Sequence, residues 1–221
     1  MSKILITGSS NGIGRATAEL FLGKGFEVVG LDMMSATIKH DNYKHCICDL
    51  SVKENLPDIT DVDYLFINAG SQNTEDDIKN NLYSAIYTME KYGFQRSIKA
   101  VLFNASVSAH TGFEFPYYVS SKAGMIGYMK HVASKLAPRG VIVNSISCGG
   151  VLTDLNKPVM EDKELWNKIM AVTPLRRWAT AEEIAEWVYF LLIKNKFCAG
   201  QDIIIDGGEK DLNNTFIWPE Q

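Results

Sequence analysis

The sequence predicts a doubly wound α/β fold, with a seven-stranded, mostly parallel sheet and helices on both faces. Three observations lead there. Short Val- and Ile-rich runs alternate with longer amphipathic stretches along the whole chain, the pattern of successive βαβ units. A glycine-rich run separates the first apolar stretch from the first amphipathic one. Seven candidate strands and six candidate helices use up the 221 residues with no internal repeat, low-complexity segment or Pro/Ser linker, so a single domain spanning 1–221 is expected.

In chain order, Ile4-Leu5-Ile6 is a continuous apolar run of the kind buried on both faces, and Gly12 to Gly23 forms the first helix. Strands follow at Glu27 to Leu31 and Tyr43 to Cys48, then a short helix after Ser51 and a strand over Val62 to Ile67. The spacing predicts a helix over Thr74 to Lys91, a strand over Ala100 to Asn104, and a long helix over Tyr117 to Leu136. Val141 to Ile146 is the sixth strand, Lys163 to Met170 a helix, and Asp202 to Ile205 the last strand. Thr180-Ala181-Glu182-Glu183 has the form of a capping box, opening a helix to Leu192 whose apolar face is Ile184, Trp187, Val188 and Leu191.

Composition favours small-molecule chemistry. A hydrophobic fraction of 46% and a charged fraction of 22% are ordinary for a globular domain, and a net charge of −4 gives no footprint for nucleic acid or a membrane surface. The amino terminus runs straight into an apolar strand and no apolar run reaches ~18 residues, so a cytoplasmic protein is expected. Cys46, Cys48, Cys148 and Cys198 need not form a framework, and the Cys46/Cys48 spacing falls short of a metal site, so no metal is expected.

The run Thr7-Gly8-Ser9-Ser10-Asn11-Gly12-Ile13-Gly14 lies between the first strand and first helix. There, backbone N–H groups and the positive helix end can receive a pyrophosphate, the hallmark of a Rossmann turn in a lengthened spacing variant. Some eighteen residues beyond Gly14, Asp32 closes the second strand, where a carboxylate can accept the ribose hydroxyls of an adenosine. A 2'-phosphate would meet like charge there. Neither Asn11 nor Met33 offers a compensating cation, so the residues favour NAD over NADP.

Tyr118 and Lys122 stand four apart in a helical segment, which puts phenol and ammonium on one face. A neighbouring ammonium should lower a phenol pKa that otherwise sits near ~10, giving an acid/base suited to neutral pH. Tyr117 has no lysine at that spacing.

These motifs, in this order, resemble the short-chain dehydrogenase/reductase family almost from end to end. The resemblance takes in Cys48-Asp49-Leu50, Asn68-Ala69-Gly70, Asn81-Leu82, Ala105-Ser106-Val107-Ser108, Cys148-Gly149-Gly150-Val151-Leu152-Thr153 and Ile205-Asp206-Gly207-Gly208. It implies a catalytic tetrad of Asn81, Ser106, Tyr118 and Lys122. Tyr118 would exchange the proton, Lys122 would lower its pKa and hold the nicotinamide ribose, Ser106 would bond the substrate oxygen, and Asn81 would hold a relay water. It also implies cofactor contacts at Gly8, Ser10, Asn11, Gly12, Ile13, Gly14, Asp32, Asp49, Leu50, Asn68, Ala69, Gly70, Gly149, Val151 and Thr153, beside Tyr118 and Lys122. Ser108 competes with Ser106, and Asn80 with Asn81. Asn104 and Asn144 suit backbone turns, Trp178 and Trp187 a core, and His110 a loop near substrate.

The chain departs from the family pattern in two places. Only ten residues, Ser71 to Asn80, separate Gly70 from Asn81, which predicts a more open cleft on that side. Cys148 replaces the usual proline and leaves a thiol near the nicotinamide, whose oxidation or alkylation would be expected to impair cofactor binding.

The expected function is an NAD-dependent oxidoreductase interconverting a secondary alcohol and a ketone, with a substrate lid at about 154–174. A 3-oxoacyl-thioester reductase is the alternative, although it would be expected to prefer NADPH. A non-catalytic NAD sensor or structural subunit is an alternative of another class. The resemblance implies a homodimer or homotetramer, and the apolar tail residues Phe216, Ile217 and Trp218 suit packing on a neighbour or across the cleft.

Overall fold

Hydrophobic alternation in the central strands builds the two halves of the core. The computed structural model describes residues 1–212, so Phe216, Ile217 and Trp218 lie outside the described residues. Strands β1 (Lys3–Thr7), β2 (Glu27–Asp32), β3 (Tyr43–Ile47), β4 (Tyr64–Ile67), β5 (Ala100–Asn104), β6 (Ile142–Cys148) and β9 (Asp202–Ile205) form one sheet in the order β3-β2-β1-β4-β5-β6-β9. Every pairing in it is parallel. A separate short ladder pairs β7 (Val151–Leu152) with β8 (Ala179–Thr180), which periodicity over two residues could not reveal.

Because side chains alternate across a strand, Leu5, Leu65, Ile67, Val101 and Phe103 enter one core, with Met125 and Met129. Ile4, Ile6, Phe66 and Leu102 enter the other, with Phe21, Ile184 and Val188. The covering helices are α1 (Gly12–Gly23), α4 (Pro116–Leu136), α7 (Ala181–Tyr189) and a helical stretch centred on α2 (Ser84–Thr88). That stretch has wider, π-type turns at Ile78–Tyr83 and Met89–Gly93. It starts later than the expected Thr74 because the buried Asp77 carboxylate accepts from Ser71 Oγ, Thr74 N–H and Thr74 Oγ, holding residues 71–77 as a turn.

Among the described residues there are also three shorter α-helices, α3 (Ser108–Thr111), α5 (Lys157–Glu161) and α6 (Lys163–Val172). Of these, α3 and α5 were not expected, being only one turn each. The Thr180/Glu183 capping box forms as predicted, and Arg177 forks onto the Glu183 carboxylate at 2.7 Å from each guanidinium nitrogen. Trp187 departs from expectation. It faces outward with 44% of its surface exposed and packs edge-on to Phe190 rather than entering the core. Among the described residues, no helix is long and apolar enough to cross a membrane.

The strand order reverses between β1 and β4, so their carboxyl ends diverge and leave a crevice. Most of the motifs singled out from the sequence border that edge.

Candidate active site

A cleft of about 1170 Å³ runs across the carboxyl ends of β1, β4, β5 and β6. This exceeds the roughly 300–1,000 Å³ of an ordinary small-ligand site and suits a dinucleotide with a substrate beside it. One end is the glycine turn. Gly8 and Gly12 have φ of 68° and 50°, and a Cβ on Gly8 would stand 2.9 Å from the Ala69 Cα. Asn11 caps α1 without a side-chain bond and the first turn carries no acidic residue, so its free N–H groups and positive helix end can take a pyrophosphate.

Gly14 acts from behind that turn. A Cβ there would fall 2.0 Å from the Gly8 carbonyl oxygen, a backbone atom that cannot swing aside. Gly14→Ala should therefore cost on the order of 1–3 kcal/mol and lower the melting midpoint by several degrees. A variant melting with the wild type would show that the turn shifts freely.

At the far end of the turn, Asp32 accepts the Ser10 N–H through Oδ2 and the Met34 N–H through Oδ1, both at 2.9 Å. Thr37 Oγ donates to the Ser10 carbonyl at 2.7 Å, and the His45 Nε2 lies 2.8 Å from the Met34 carbonyl. The loop after β2 is thus tied to the glycine turn with the carboxylate on the cleft wall. The cations on that wall, among the described residues, are Lys122 and Lys210, neither of them in this loop. Asp49 accepts from the hydroxyl and N–H of Ser51, which hold its carboxyl below the usual range.

At the other end, Asn68 clamps strand termini together. Its amide donates to the Thr7 and Gly8 carbonyls, and its Oδ1 accepts from Asn104 Nδ2 at 2.8 Å. The Asn104 carbonyl in turn accepts from Lys122 Nζ at 2.8 Å. Asn104 therefore positions the lysine, a role beyond the turn-forming one expected of it.

Lys122 is buried, and desolvation lowers it to about 8. Its Nζ lies 5.6 Å from the centroid of the Tyr118 ring, confirming the shared helix face. The expected lowering of the phenol is not found. Tyr118 is pushed up to about 12, by burial first, with Glu114, Cys148 and Asp77 adding to the rise and Ser106 opposing it. Although the tyrosine as a whole keeps partial exposure, the surroundings of its hydroxyl disfavour charge more than the lysine across the ring favours it.

Ser106 and Ser108, rivals in the sequence, are joined. Ser106 Oγ donates to Ser108 Oγ at 3.1 Å, the Ser108 N–H returns to Ser106 Oγ at 3.2 Å, and Ser108 Oγ donates to the Glu114 carboxylate. Cys148 lies in the wall with Sγ 3.7 Å from Asn104 Oδ1, and burial pushes its thiol to about 12. A thiol held protonated in this way is a weak nucleophile, since the thiolate is the reactive form.

Three predicted residues do not line the cleft: Ser10, Gly14 and Asn81. Ser10 is fully buried and serves Asp32 through its backbone. Asn81 is fully buried too. Its Oδ1 accepts the Ser71 N–H at 2.7 Å, and its Nδ2 donates to the Ser71 carbonyl at 3.0 Å and Ser121 Oγ at 2.9 Å. It nevertheless adjoins Lys122, because a Cβ on the intervening Gly70 would meet Asn81 Oδ1 at 2.6 Å and Lys122 Nζ at 3.6 Å. The short Ser71–Asn80 connection brings Asn80 itself to the cleft wall.

The expected lid borders the cleft through Leu155, Val159, Ile169 and Val172. Trp178 is buried as expected, yet it also lines the cleft, edge-on to Trp166 of α6 with centroids 4.9 Å apart. Two carboxylates that no motif announced, Glu114 and Glu209, complete this end. Glu209 accepts from Thr173 Oγ at 2.9 Å and is raised by burial first, with Asp206 and Glu114 adding to the rise. His110 turns away, with Nε2 2.7 Å from Asp202 Oδ2.

A family model described as enoyl-(acyl carrier protein) reductase matches residues 8–210. The chain is 32% identical over 238 residues to the 3-oxoacyl-(acyl-carrier-protein) reductase FabG of Buchnera aphidicola subsp. Schizaphis graminum, covering 92% of this chain and 95% of the relative. Among solved structures, it is similar to a short chain dehydrogenase family protein of Francisella tularensis, with 29% identity, a TM-score of 0.83, and 95% and 98% of the two chains covered. It is likewise similar to 4-hydroxyisoleucine dehydrogenase complexed with NADH, with 27% identity, a TM-score of 0.84, and 95% and 99% covered.

Proposed function

Because the chain belongs to the short-chain dehydrogenase/reductase family, we propose that it is a ketone/alcohol oxidoreductase working with NAD rather than NADP, with Tyr118 as its acid/base. The observation that carries this reading is the joint location of Tyr118, Lys122 and the Ser106 hydroxyl in one cleft with the uncapped glycine turn and Asp32. The nicotinamide, when bound, supplies the hydride exchange and, in its oxidised form, a positive charge near the phenol.

The chain's own groups do the rest. Gly8, Gly12 and the α1 N-terminus hold the pyrophosphate, with Thr153 against Gly12 across the turn. Asp32 holds the ribose hydroxyls of the adenosine, Lys122 those of the nicotinamide ribose, and Tyr118 exchanges a proton with the substrate oxygen. Asn104 positions Lys122, and Asn81, near it behind Gly70, is the residue that would hold a relay water. The chain acts as a homodimer or homotetramer, for which exposed Tyr83 and Tyr117 offer a contact face.

The choice of NAD rests on a carboxylate where a 2'-phosphate would sit, with no neighbouring cation on the cleft wall among the described residues. Asp32→Ala is expected to reduce the NAD/NADP ratio of kcat/KM by roughly tenfold to a hundredfold, the worth of one or two hydrogen bonds to a charged group. An unchanged ratio would show that Asp32 is not at the ribose.

Reduction of a 3-oxoacyl thioester is the second reading, drawn from the likeness to FabG. Glu114 and Glu209 at the substrate end favour a hydroxyl-bearing or neutral carbonyl instead. A panel of ketones, diketones, sugar-derived carbonyls and a 3-oxoacyl thioester, each with NADH and NADPH and followed by nicotinamide absorbance, tests both. Turnover of a non-thioester carbonyl with NADH is expected. Thioester reduction with NADPH alone would favour the second reading, and tight NAD binding with no turnover would make the protein a sensor.

A further inference from the structure

The substrate end of the cleft carries two carboxylates, Glu114 and Glu209, that neither the tetrad nor the cofactor cradle uses. Glu209 is anchored from the lid. Thr173 Oγ donates to its Oε1 at 2.9 Å, which leaves Oε2 with no hydrogen bond to a described residue. That second oxygen faces the turn after β6, where a Cβ on Gly149 would meet it at 3.2 Å. Glu114 spends Oε2 on Ser108, whose hydroxyl accepts from Ser106, so its other oxygen is left over near the reacting centre. The two carboxylates are close enough that Glu114 helps to raise Glu209, after burial and Asp206.

The wall does not balance these charges. Among the described residues its cations are Lys122, turned onto the Asn104 carbonyl, and Lys210, turned onto Asp211. Asp154 of the lid is already paired with Lys157.

An independent feature of the same wall points to an occupant. Trp178 is only 8% exposed, yet its indole nitrogen has no hydrogen-bond partner among the described residues. Its ring stands against Gly150, where a Cβ would fall 2.0 Å from that nitrogen, one residue along from the glycine that Glu209 faces. Burying an unpaired N–H is unfavourable, so core packing does not account for an indole in this wall. An aromatic ring beside a carboxylate suits a cation, which is drawn to the ring face while its N–H groups bond the carboxylate. Exposed Phe113, next to Glu114 on the cleft wall, repeats the pairing.

We propose that the substrate carries an ammonium group, held by Glu209 and Glu114 against Trp178, so that the protein interconverts a short amino alcohol and the matching amino ketone. This rests on the oxidoreductase reading above and narrows its hydroxyl-bearing substrate to a cationic one. An ammonium has only donors to offer, which fits two carboxylate oxygens with lone pairs to spare. Because Glu114 is joined through Ser108 to Ser106, the residue that would bond the reacting oxygen, the amine lies within a few bonds of the reacting carbon. It takes no part in the chemistry. The carbinol carbon gives hydride to the oxidised nicotinamide, the O–H proton goes to Tyr118, and the nitrogen keeps its protons and its charge. A neutral polyol gains less from the same oxygens, since hydrogen bonds from a charged donor are the stronger ones.

Isopropanolamine, propylene glycol and lactate are secondary alcohols of one size whose end group is ammonium, hydroxyl or carboxylate. The test measures their kcat/KM with NAD, that of aminoacetone, hydroxyacetone and pyruvate with NADH, and the affinity of each alcohol for the NADH-bound protein by ligand-observed NMR. The wild type is expected to prefer isopropanolamine to propylene glycol by roughly tenfold to a hundredfold, with lactate poorest. Glu209→Gln keeps the size of the side chain and an acceptor for Thr173, and should cut that ratio about tenfold. Glu209→Lys should reverse the order and place lactate above isopropanolamine. A wild type that favours propylene glycol or treats the two alike, an unchanged ratio in Glu209→Gln, or an unchanged order in a folded Glu209→Lys would overturn the proposal. Weakened NAD binding in Glu209→Gln with the ratio unmoved would assign the carboxylate to the nicotinamide instead. Where Glu209→Lys does not fold, Glu209→Gln decides. If no alcohol or ketone turns over, the oxidoreductase reading fails, and the NMR affinities alone decide whether the ammonium site exists.

Discussion

Tyr118→Phe is expected to lower turnover by roughly 10²–10⁴-fold, the usual range for a positioned acid/base, while leaving cofactor affinity nearly unchanged. The substitution removes only the hydroxyl, at a partly exposed position on the cleft wall, so the cradle formed by Gly8, Gly12 and Asp32 keeps its geometry. Steady-state rates beside a fluorescence titration with NADH separate the two effects, and retention of most activity would remove Tyr118 from the chemistry.

The pH dependence has a definite sign. Burial pushes the Tyr118 phenol up to about 12, so its basic form is scarce at neutral pH. Alcohol oxidation should accelerate by about tenfold per pH unit on the alkaline side of neutrality until another group limits it. Carbonyl reduction, which needs the protonated phenol, should not share that rise. A flat oxidative profile would mean that a bound partner or another residue sets the proton step.

Lys122→Met should inactivate the enzyme by at least about a hundredfold and yet raise the melting temperature of the cofactor-free protein at neutral pH. Lys122 is buried, with one hydrogen bond to the Asn104 carbonyl and, among the described residues, no carboxylate paired with it. Its folded pKa is lowered to about 8 from an ordinary 10.5. Below pH 8 the native state must hold a buried ammonium, so the group opposes folding in full there, by roughly 3 kcal/mol. Between pH 8 and 10.5 the unfolded chain keeps the proton that the native state has released, so this contribution to stability improves as pH rises. Methionine fills a similar volume with no charge and gives up the bond to Asn104 and the contact of the ammonium with the Tyr118 ring. Thermal melts at pH 7 and pH 10 check the sign: the advantage of the variant should shrink at the higher pH. A variant less stable than the wild type at pH 7 would show that the hydrogen bond outweighs desolvation.

Most of the architecture was legible because its signals are local. Ile4-Leu5-Ile6 is buried on both faces because it sits mid-sheet, and a continuous apolar run is what such a strand requires. The Thr180/Glu183 capping box is a three-residue geometry and forms where it was expected. Boundaries failed where a side chain captured the backbone, as Asp77 does over residues 71–77. Trp187 was misplaced because helical spacing identifies a stripe but not its edge, and at the edge a large ring can turn outward onto Phe190.

Within the site the division is the same. The sequence by itself determined the seven strands of the main sheet and the longer helices, the glycine turn, the carboxylate Asp32 at the end of the second strand, and the Tyr118/Lys122 pair on one helix face, because each depends on spacings of a few residues or on regular alternation. Only the tertiary structure decided that Ser106 and Ser108 act as one chain ending at Glu114, that Asn104 holds Lys122, and that Glu209 and Trp178 close the substrate end. It also reversed the expected direction for the Tyr118 phenol. The physical reason is that a group's charge state is set by burial and by neighbours brought from distant strands and loops, and a spacing of four along a helix carries no measure of either.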